Sequence, residues 1–392
     1  MRAKSFWVAS AKRIGNLANA KLTGKLILFA QLCFALVALQ TSGSAGPRVD
    51  QFFITLHSDD PSALRQSLEN QRPFDILGIN KSKGEVHLLG SAQTMSELAA
   101  LGYVPSARPV RNTPLFGVVD DDFKDLASIE ADLRQLAARF PQQAKLVSLM
   151  EEFHIPKTEE GREILALRIS SDSSRKQDKP RIAFVGNHHA REVQTPYVVM
   201  DTAHWLLENQ NSDPRASQWV SEYEIWLVPI VNPDGYNYVF AQDPWWRKNR
   251  ARTHGVDLNR NYPFKYQACG ATSQDPTSEV YTGPSAASES ETQAMMALSD
   301  SEKFWISVSY HSYGQEVLYP YLCAQFPEGE RELRDQITKN YSTAMGFGTR
   351  LASAGGEDFE WRFHSVGGIT FLTEVSQDFA PNYDDFRSEE HT

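Results

Sequence analysis

One stretch limits what this chain can fold into more than any other. Ile182-Ala183-Phe184-Val185-Gly186 is a short apolar run, and it is followed without a break by Asn187-His188-His189-Ala190-Arg191-Glu192. Thr195-Pro196-Tyr197-Val198-Val199 comes next and has the signature of a helix start, with Thr195 suited to the N-cap and Pro196 to the first turn. A buried strand, a polar loop and a helix in that order place a His and a Glu at the carboxyl end of a strand. Open α/β sheets bind ligands and do chemistry at that edge. His189 and Glu192 can close on one metal ion from such a loop, and a third ligand has to come from elsewhere. His188 lies within reach of Glu192 by the same count, so spacing alone does not choose between the two histidines.

The flanking pattern supports a sheet with helices on both faces. Apolar strands are expected at 145–150, 163–169, 182–186, 223–231, 304–310 and 369–373, and helices at 122–140 and 196–208. Ser288 and Glu291 have capping-box spacing for a helix running to about 298. The fold class is therefore α/β, a mixed central sheet covered on both faces. Residues 49–110 alternate strand and helix on a smaller scale and read as a separate α+β unit, with strands at 51–56 and 85–89 and helices at 62–69 and 94–101. Pro105 to Pro114, with its prolines, small residues and two arginines, reads as a linker.

The N-terminus reads as an export signal. A basic segment ends at Lys25, Leu26–Leu39 is almost wholly apolar, and Gly43 and Ala45 suit a cleavage site. The apolar run is shorter than the roughly 20 residues of a membrane-spanning helix. The chain's formal net charge is −10, and the first 45 residues hold six basic and no acidic residues, so the remainder carries −16. Such an acidic chain lacks the clustered Lys and Arg that phosphate contacts need, which argues against nucleic acid as a partner. Of the three cysteines, Cys33 lies in the signal. Cys269 and Cys323 would be left to pair in an oxidising compartment.

The third ligand candidate is His311, at the end of Phe304–Tyr310 and beside Ser312-Tyr313-Gly314. Two His, one Glu and an open fourth position are the donor set of a catalytic zinc. A metal hydrolase also needs a base and a cation. Glu374 follows the apolar strand Ile369–Thr373 and is placed to take a proton from water. Arg247, in Trp245-Trp246-Arg247-Lys248, can stabilise an oxyanion, and Asn259-Arg260 offers an amide and a fork to a carboxylate.

These segments, taken with Asn232-Pro233-Asp234-Gly235-Tyr236, Gly255-Val256-Asp257-Leu258-Asn259-Arg260-Asn261 and Tyr281-Thr282-Gly283-Pro284, resemble the zinc metallocarboxypeptidases of the carboxypeptidase A/B family. The motifs occur in the family's order from about Leu115 to the end. The resemblance implies one Zn2+ held by His189, Glu192 and His311. It implies attack on the last peptide bond by a zinc-bound water, promoted by Glu374, with Arg247 polarising the carbonyl. Asn259 and Arg260 would bind the substrate's free C-terminal carboxylate, and Arg191, Ser312 and Tyr313 would line the groove for the preceding residue. Residues 46–114 stand in the place of the family's pro-segment, after a signal in 1–45 and before a catalytic domain in 115–392. The expected protein is secreted or periplasmic, monomeric, and free of stable membrane association once the signal is cleaved. It acts on peptide or protein C-termini.

Three departures qualify the resemblance. Leu351 stands where the family has a Tyr that closes over substrate. Counted from Gly355-Gly356, the selecting position of the side-chain pocket is Asp358, which favours C-terminal Lys or Arg. Counted from Trp361 it is Phe359, which favours apolar termini; Asp358 is the expectation carried forward. Residues 375–392 are too short and polar for the family's final core helix, so the C-terminus reads as truncated. Two other activities share the ligand set: a zinc amidase or deacylase acting on a cell-wall or other non-protein amide, and a zinc-loaded module that holds peptide C-termini without cutting them.

Overall fold

The structure is a computed structural model that describes residues 51–110, 122–326, 330–378 and 383. The expected signal at 1–45, the whole 111–121 junction and the polar tail from 379 lie outside the described residues, Tyr383 excepted. All described residues belong to one compact unit, Pro47–Thr392.

The N-terminal layer runs β1 (Phe52–His57), α1 (Pro61–Gln71), β2 (Asp75–Asn80), β3 (Glu85–Gly90), α2 (Ala92–Ala100) and β4 (Ser106–Pro109), and its antiparallel sheet has the order β2-β3-β1-β4. Asp60 caps α1 by accepting from the Ala63 amide, and Ser91 and Thr94 close a capping box on α2. Alternation along the strands divides the sheet's two faces. Ile54, Leu56, Val86 and Leu88 join Leu68 and Leu98 in this layer's own core. Leu77, Leu89 and, partly buried, Phe53 turn the other way and pack with Tyr313 and Trp245 of the larger part. The expected linker begins later than its composition suggests, because Ser106–Pro109 forms β4 at the sheet edge, against β1. All four of its residues are exposed, so there was no apolar alternation to read. Pro109 is tolerated there because an edge strand need not donate on both sides.

The larger part runs α3 (Leu126–Arg139), β5 (Ala144–Ser148), α4 (Leu149–Glu152), β6 (Leu165–Ile169), β7 (Arg181–Gly186), α5 (Thr195–Asn209), α6 (Pro214–Glu222), β8 (Glu224–Val228) and α7 (Pro233–Ala241). A 3-10 turn at Leu258–Arg260 follows, then α8 (Ser290–Glu302), β9 (Ile306–Ser312), β10 (Glu316–Tyr319), α9 (Glu330–Met345), β11 (Gly348–Leu351), α10 (Asp358–Val366) and β12 (Ile369–Val375). The strands form one mixed sheet in the order β11-β10-β12-β9-β7-β8-β6-β5. β8, β7, β9 and β12 are parallel neighbours, and they form the middle of the sheet. Buried strands show the same division of faces. Ile225 and Leu227 of β8 pack with α3 and α5, while Trp226 and Val228 pack with Ala294, Met295 and Leu298 of α8. Each such side chain removed from water contributes roughly 1.5–3 kcal/mol. Cys269 and Cys323 form a disulfide across a sequence separation of 54, worth about 4 kcal/mol in the chain-entropy picture.

Two expected caps differ. The N-cap of α5 is Gln194, whose side chain makes no capping bond, because the Thr195 hydroxyl is already committed to the preceding loop. The N-cap of α8 is Glu289, and the Ser288 hydroxyl instead donates to Glu289 and accepts from Asn261.

Candidate active site

The loop after β7 is fixed by its own polar groups. Asn187 has φ 56, a left-handed conformation that Asn tolerates better than most residues. Its Nδ2 donates to the carbonyls of His189, Ala190 and Glu192 at 3.1, 3.3 and 3.3 Å. Thr195 Oγ1 accepts from the Asn187 amide and donates to the Glu192 carbonyl, both at 2.9 Å. Gly186 is needed just before: a Cβ there would lie 2.7 Å from the Pro229 carbonyl. His189 and Glu192 therefore leave a rigid turn in set directions.

His311 reaches the same point from β9, as the penultimate residue of that strand rather than just beyond it. His189 Nδ1 lies 2.7 Å from Glu192 Oε1, His311 Nδ1 lies 3.0 Å from Glu192 Oε2, and the two Nδ1 atoms are 3.1 Å apart. The donor atoms of the three residues lie within 4.8 Å of one another, a group that could hold a metal ion. Glu192 Oε2 is buried, with His311 Nδ1 close by but no well-aligned hydrogen bond, so a cation held between the three residues would satisfy it. Two histidine nitrogens and one carboxylate also suit zinc chemically. His188, the rival ligand, points elsewhere. Its Nε2 faces the Tyr262 hydroxyl at 3.0 Å, and its ring stacks on His311 with centroids 5.6 Å apart.

Asp257, within Gly255–Asn261, is a site residue whose role the sequence alone does not assign. Its Oδ1 lies 3.2 Å from His189 Nε2, and its Oδ2 accepts from Arg247 Nε and Nη2 at 3.1 and 2.9 Å. One buried carboxylate so orients both a candidate ligand and the candidate oxyanion cation. Burial would raise the Asp257 carboxyl, but Arg247 and His189 outweigh it and hold it well below the usual range.

A cleft opens beside these groups, lined by His189, Glu192, His311, Arg247, Asn259, Arg260, Ser312 and Glu374 among others. Arg260 is held by Nε to the Ala271 carbonyl at 2.8 Å and by Nη1 to the Asn259 carbonyl at 2.7 Å and Glu357 Oε1 at 3.2 Å. Asn259 accepts from the Asp358 amide at 2.9 Å. Ser312 donates to Gln194 at 3.0 Å. Glu374, like His311, is the penultimate residue of its strand, and the two are register partners across β12 and β9.

Three expected substrate-binding residues stand elsewhere. Asp358 does not line the cavity. It begins α10, and its carboxylate lies 2.9 Å from Arg362 Nε, one turn along the helix, so its charge is already matched. Its neighbour Glu357 does line the cleft, as do Ala271, Leu318, Ser353 and Leu372, and it accepts from the Ser353 amide at 3.1 Å. Gly356 sets that geometry: φ is 86, and a Cβ there would lie 2.5 Å from the Arg260 carbonyl. Burial pushes the Glu357 carboxyl up to about 7 against the pull of Arg260 and Arg350. Tyr313 is fully buried under the N-terminal layer, its hydroxyl bonded to His87 of β3. Arg191 pairs with Asp75 of β2 at 2.6 and 3.1 Å.

The N-terminal layer thus enters the site itself. Arg65 of α1 donates to Glu374 Oε1 at 2.9 Å. Glu316 of β10 accepts from Ser62 at 2.7 Å and Arg350 at 2.8 Å and lies 3.4 Å from Lys81. Burial would raise the Glu316 carboxyl, but Arg350, Arg65 and Lys81 prevail and hold it at about 2. Its folded pKa is below the unfolded value of about 4.3. The stability it contributes is therefore complete above that value and lost as pH falls through about 2. We expect the urea midpoint of unfolding to drop between about pH 5 and 2. Glu316→Gln should flatten that slope in a pH series of urea titrations.

Residues 129–386 match the family described as zinc carboxypeptidase. The inactive metallocarboxypeptidase ECM14 of Ajellomyces capsulatus is 29% identical over 307 residues, covering 68% of this chain and 49% of that protein. Carboxypeptidase B of Helicoverpa zea is 32% identical over 211 residues, 51% of this chain and 47% of that protein. The chain spans about half the length of the curated relatives it matches. Among solved structures, carboxypeptidase A from Helicoverpa armigera superposes with a TM-score of 0.71 at 21% identity, over 88% of this chain and 95% of that one. Its fold is the mixed sheet with helices described above. Among the described residues no helix is long and apolar enough to cross a membrane.

Proposed function

Because this chain belongs to the zinc carboxypeptidase family, we propose that it hydrolyses the C-terminal peptide bond of peptides or proteins. The observation that carries the reading is the set of groups lining one cavity: His189, Glu192 and His311 as a metal-holding trio, with Glu374, Arg247, Asn259 and Arg260. His189, Glu192 and His311 would hold zinc, which when bound supplies a Lewis acid that activates water and polarises a carbonyl. Glu374 takes the proton of the attacking water and passes it to the leaving amine. Arg247, aimed by Asp257, stabilises the negative charge that develops on the carbonyl oxygen. Asn259 and Arg260 fix the terminal carboxylate, which limits cutting to the last bond. The side chain of the last residue enters the pocket beside Glu357; Asp358, neutralised by Arg362, is not its selector.

We further infer that residues 46–114 act as a pro-segment. Arg65 on Glu374 and Asp75 on Arg191 support it, since the first engages the candidate base and the second the loop that carries His189 and Glu192. The basic and apolar N-terminus supports export, and the two cysteines outside it are paired.

The test of the exopeptidase reading is the carboxylate anchor. Arg260→Ala should raise KM for peptides with a free C-terminus by roughly 30-fold or more, because truncating one partner of a buried charge pair costs about 2 kcal/mol or more. Bound zinc should not change. Amidating the peptide's C-terminus should have a similar effect on the unaltered protein. A zinc amidase with no need of the anchor would be indifferent to both changes. A relative named inactive keeps the non-cleaving peptide-binding module as the second reading. That module would bind the free-acid peptide and release no amino acid, with or without added zinc.

A further inference from the structure

β10 and β12 are antiparallel, and Glu316 and Glu374 are direct register partners. Residues directly opposite on one sheet face have Cβ atoms roughly 4.5–5.5 Å apart, and two like charges there destabilise the pair. A cation has to stand between them. The structure supplies two, from different sources. Arg65 comes from the N-terminal layer and takes Glu374 Oε1 at 2.9 Å. Arg350 comes from β11, next to β10 in the same sheet as the two carboxylates.

Arg350 is anchored at one end only. Its Nε donates to Glu316 Oε2 at 2.8 Å and its Nη1 to Ser353 Oγ at 2.8 Å and the Leu351 carbonyl at 3.3 Å, with Glu69 of α1 3.6 Å from Nη1. Its Nη2 is buried without a hydrogen bond and lies 3.6 Å from Glu374 Oε1, the atom Arg65 occupies. A buried guanidinium nitrogen without a partner is costly. If Arg65 withdraws, Glu374 Oε1 loses its partner as well. Two unmet groups less than an ångström beyond bonding distance then satisfy each other. We propose that Arg350 is a positioning residue for Glu374: it bridges Glu316 and Glu374 across the strands and holds one oxygen of Glu374 so that the other faces the water. Arg65 is the removable cation of the pair and Arg350 the resident one. The inference rests on the reading of Glu374 as the group that takes the proton.

The test uses the whole zinc-loaded chain, unaltered and with Arg65→Met. In the Arg65→Met chain, Arg350→Met should lower kcat by roughly 10- to 100-fold, the scale expected of a misplaced reacting group. KM should stay within about threefold, zinc content should be unchanged, and Arg350→Lys should recover part of the rate. A double-mutant cycle of Arg350→Met with Glu374→Gln, read as urea midpoints, should show stronger coupling in the Arg65→Met chain than in the unaltered one. A kcat for Arg350→Met equal to that of its parent, or additive midpoints in both chains, overturns the proposal and leaves the peptidase reading standing. If the Arg65→Met chain releases no amino acid from any peptide, the peptidase reading fails instead, and the cycle alone decides whether Arg350 holds Glu374. Should Arg350→Met not fold, Arg350→Lys and Arg350→Gln take its place in both measurements.

Discussion

Glu374→Ala should lose roughly a hundred- to ten-thousandfold in kcat, the range of a positioned general base, while still binding one zinc per chain. The separation is expected because Glu374 is not among the residues that could hold the metal. Its partners are Arg65 and Arg350 on one side and the cavity on the other. Metal content by atomic absorption and release of the terminal amino acid by ninhydrin assay check the two halves. A variant that cleaves at the parent's rate removes Glu374 from the reaction. One that binds no zinc would mean that the substitution has disturbed the His189, Glu192 and His311 trio, and a conservative Gln would then replace it.

The second large effect runs the other way. Arg65→Ala combined with Asp75→Ala should raise the activity of the intact chain by roughly 10- to 100-fold. Both side chains come from the N-terminal layer: Arg65 ends on Glu374, and Asp75 ends on Arg191, in the loop that carries His189 and Glu192. Breaking a buried ion pair from one side typically costs about 3–5 kcal/mol, and this cost falls on the covered state alone. A brief trypsin treatment that cuts the 105–121 region should bring the unaltered chain toward the same rate. If neither the double variant nor the nicked chain gains activity, the layer is a fixed part of the domain and not a pro-segment.

The parts of this arrangement that could be read from sequence are those set by local chemistry. The apolar run at 182–186 and the strands ending near His311 and Glu374 follow from short-range patterns, whereas the caps expected at Thr195 and Ser288 fall instead at Gln194 and Glu289, because both hydroxyls are bonded elsewhere. Asp358 shows where that stops. Its position after Gly355-Gly356 suggested a pocket carboxylate, but α10 begins at that residue, and Arg362 four positions on neutralises it. One residue earlier, Glu357 turns into the cavity. A single step of register separates the two, and no composition or spacing rule fixes it. Arg65 and Asp75 were out of reach for another reason. Their partners are 309 and 116 residues away, and a charged helix face looks the same whether it meets solvent or a catalytic carboxylate. β4 was missed because an exposed edge strand carries no apolar alternation. Asp257 was visible in a quoted motif, but its two bonds, to His189 and Arg247, exist only in three dimensions.

The position of β12 has a consequence for how the protein is made. β12 is the last strand of the described chain, yet it lies inside the sheet, with β9 on one side and β10 on the other. Until the ribosome has delivered residues 369–375, β10 and β11 have no strand joining them to the rest. A nascent chain that has reached His311 already holds the three candidate metal ligands but has no Glu374. Delivery of the trio and delivery of the base are therefore separate events in time, and the sheet can close only with the second. Arg65, the partner of Glu374 in the finished fold, is delivered 309 residues before it.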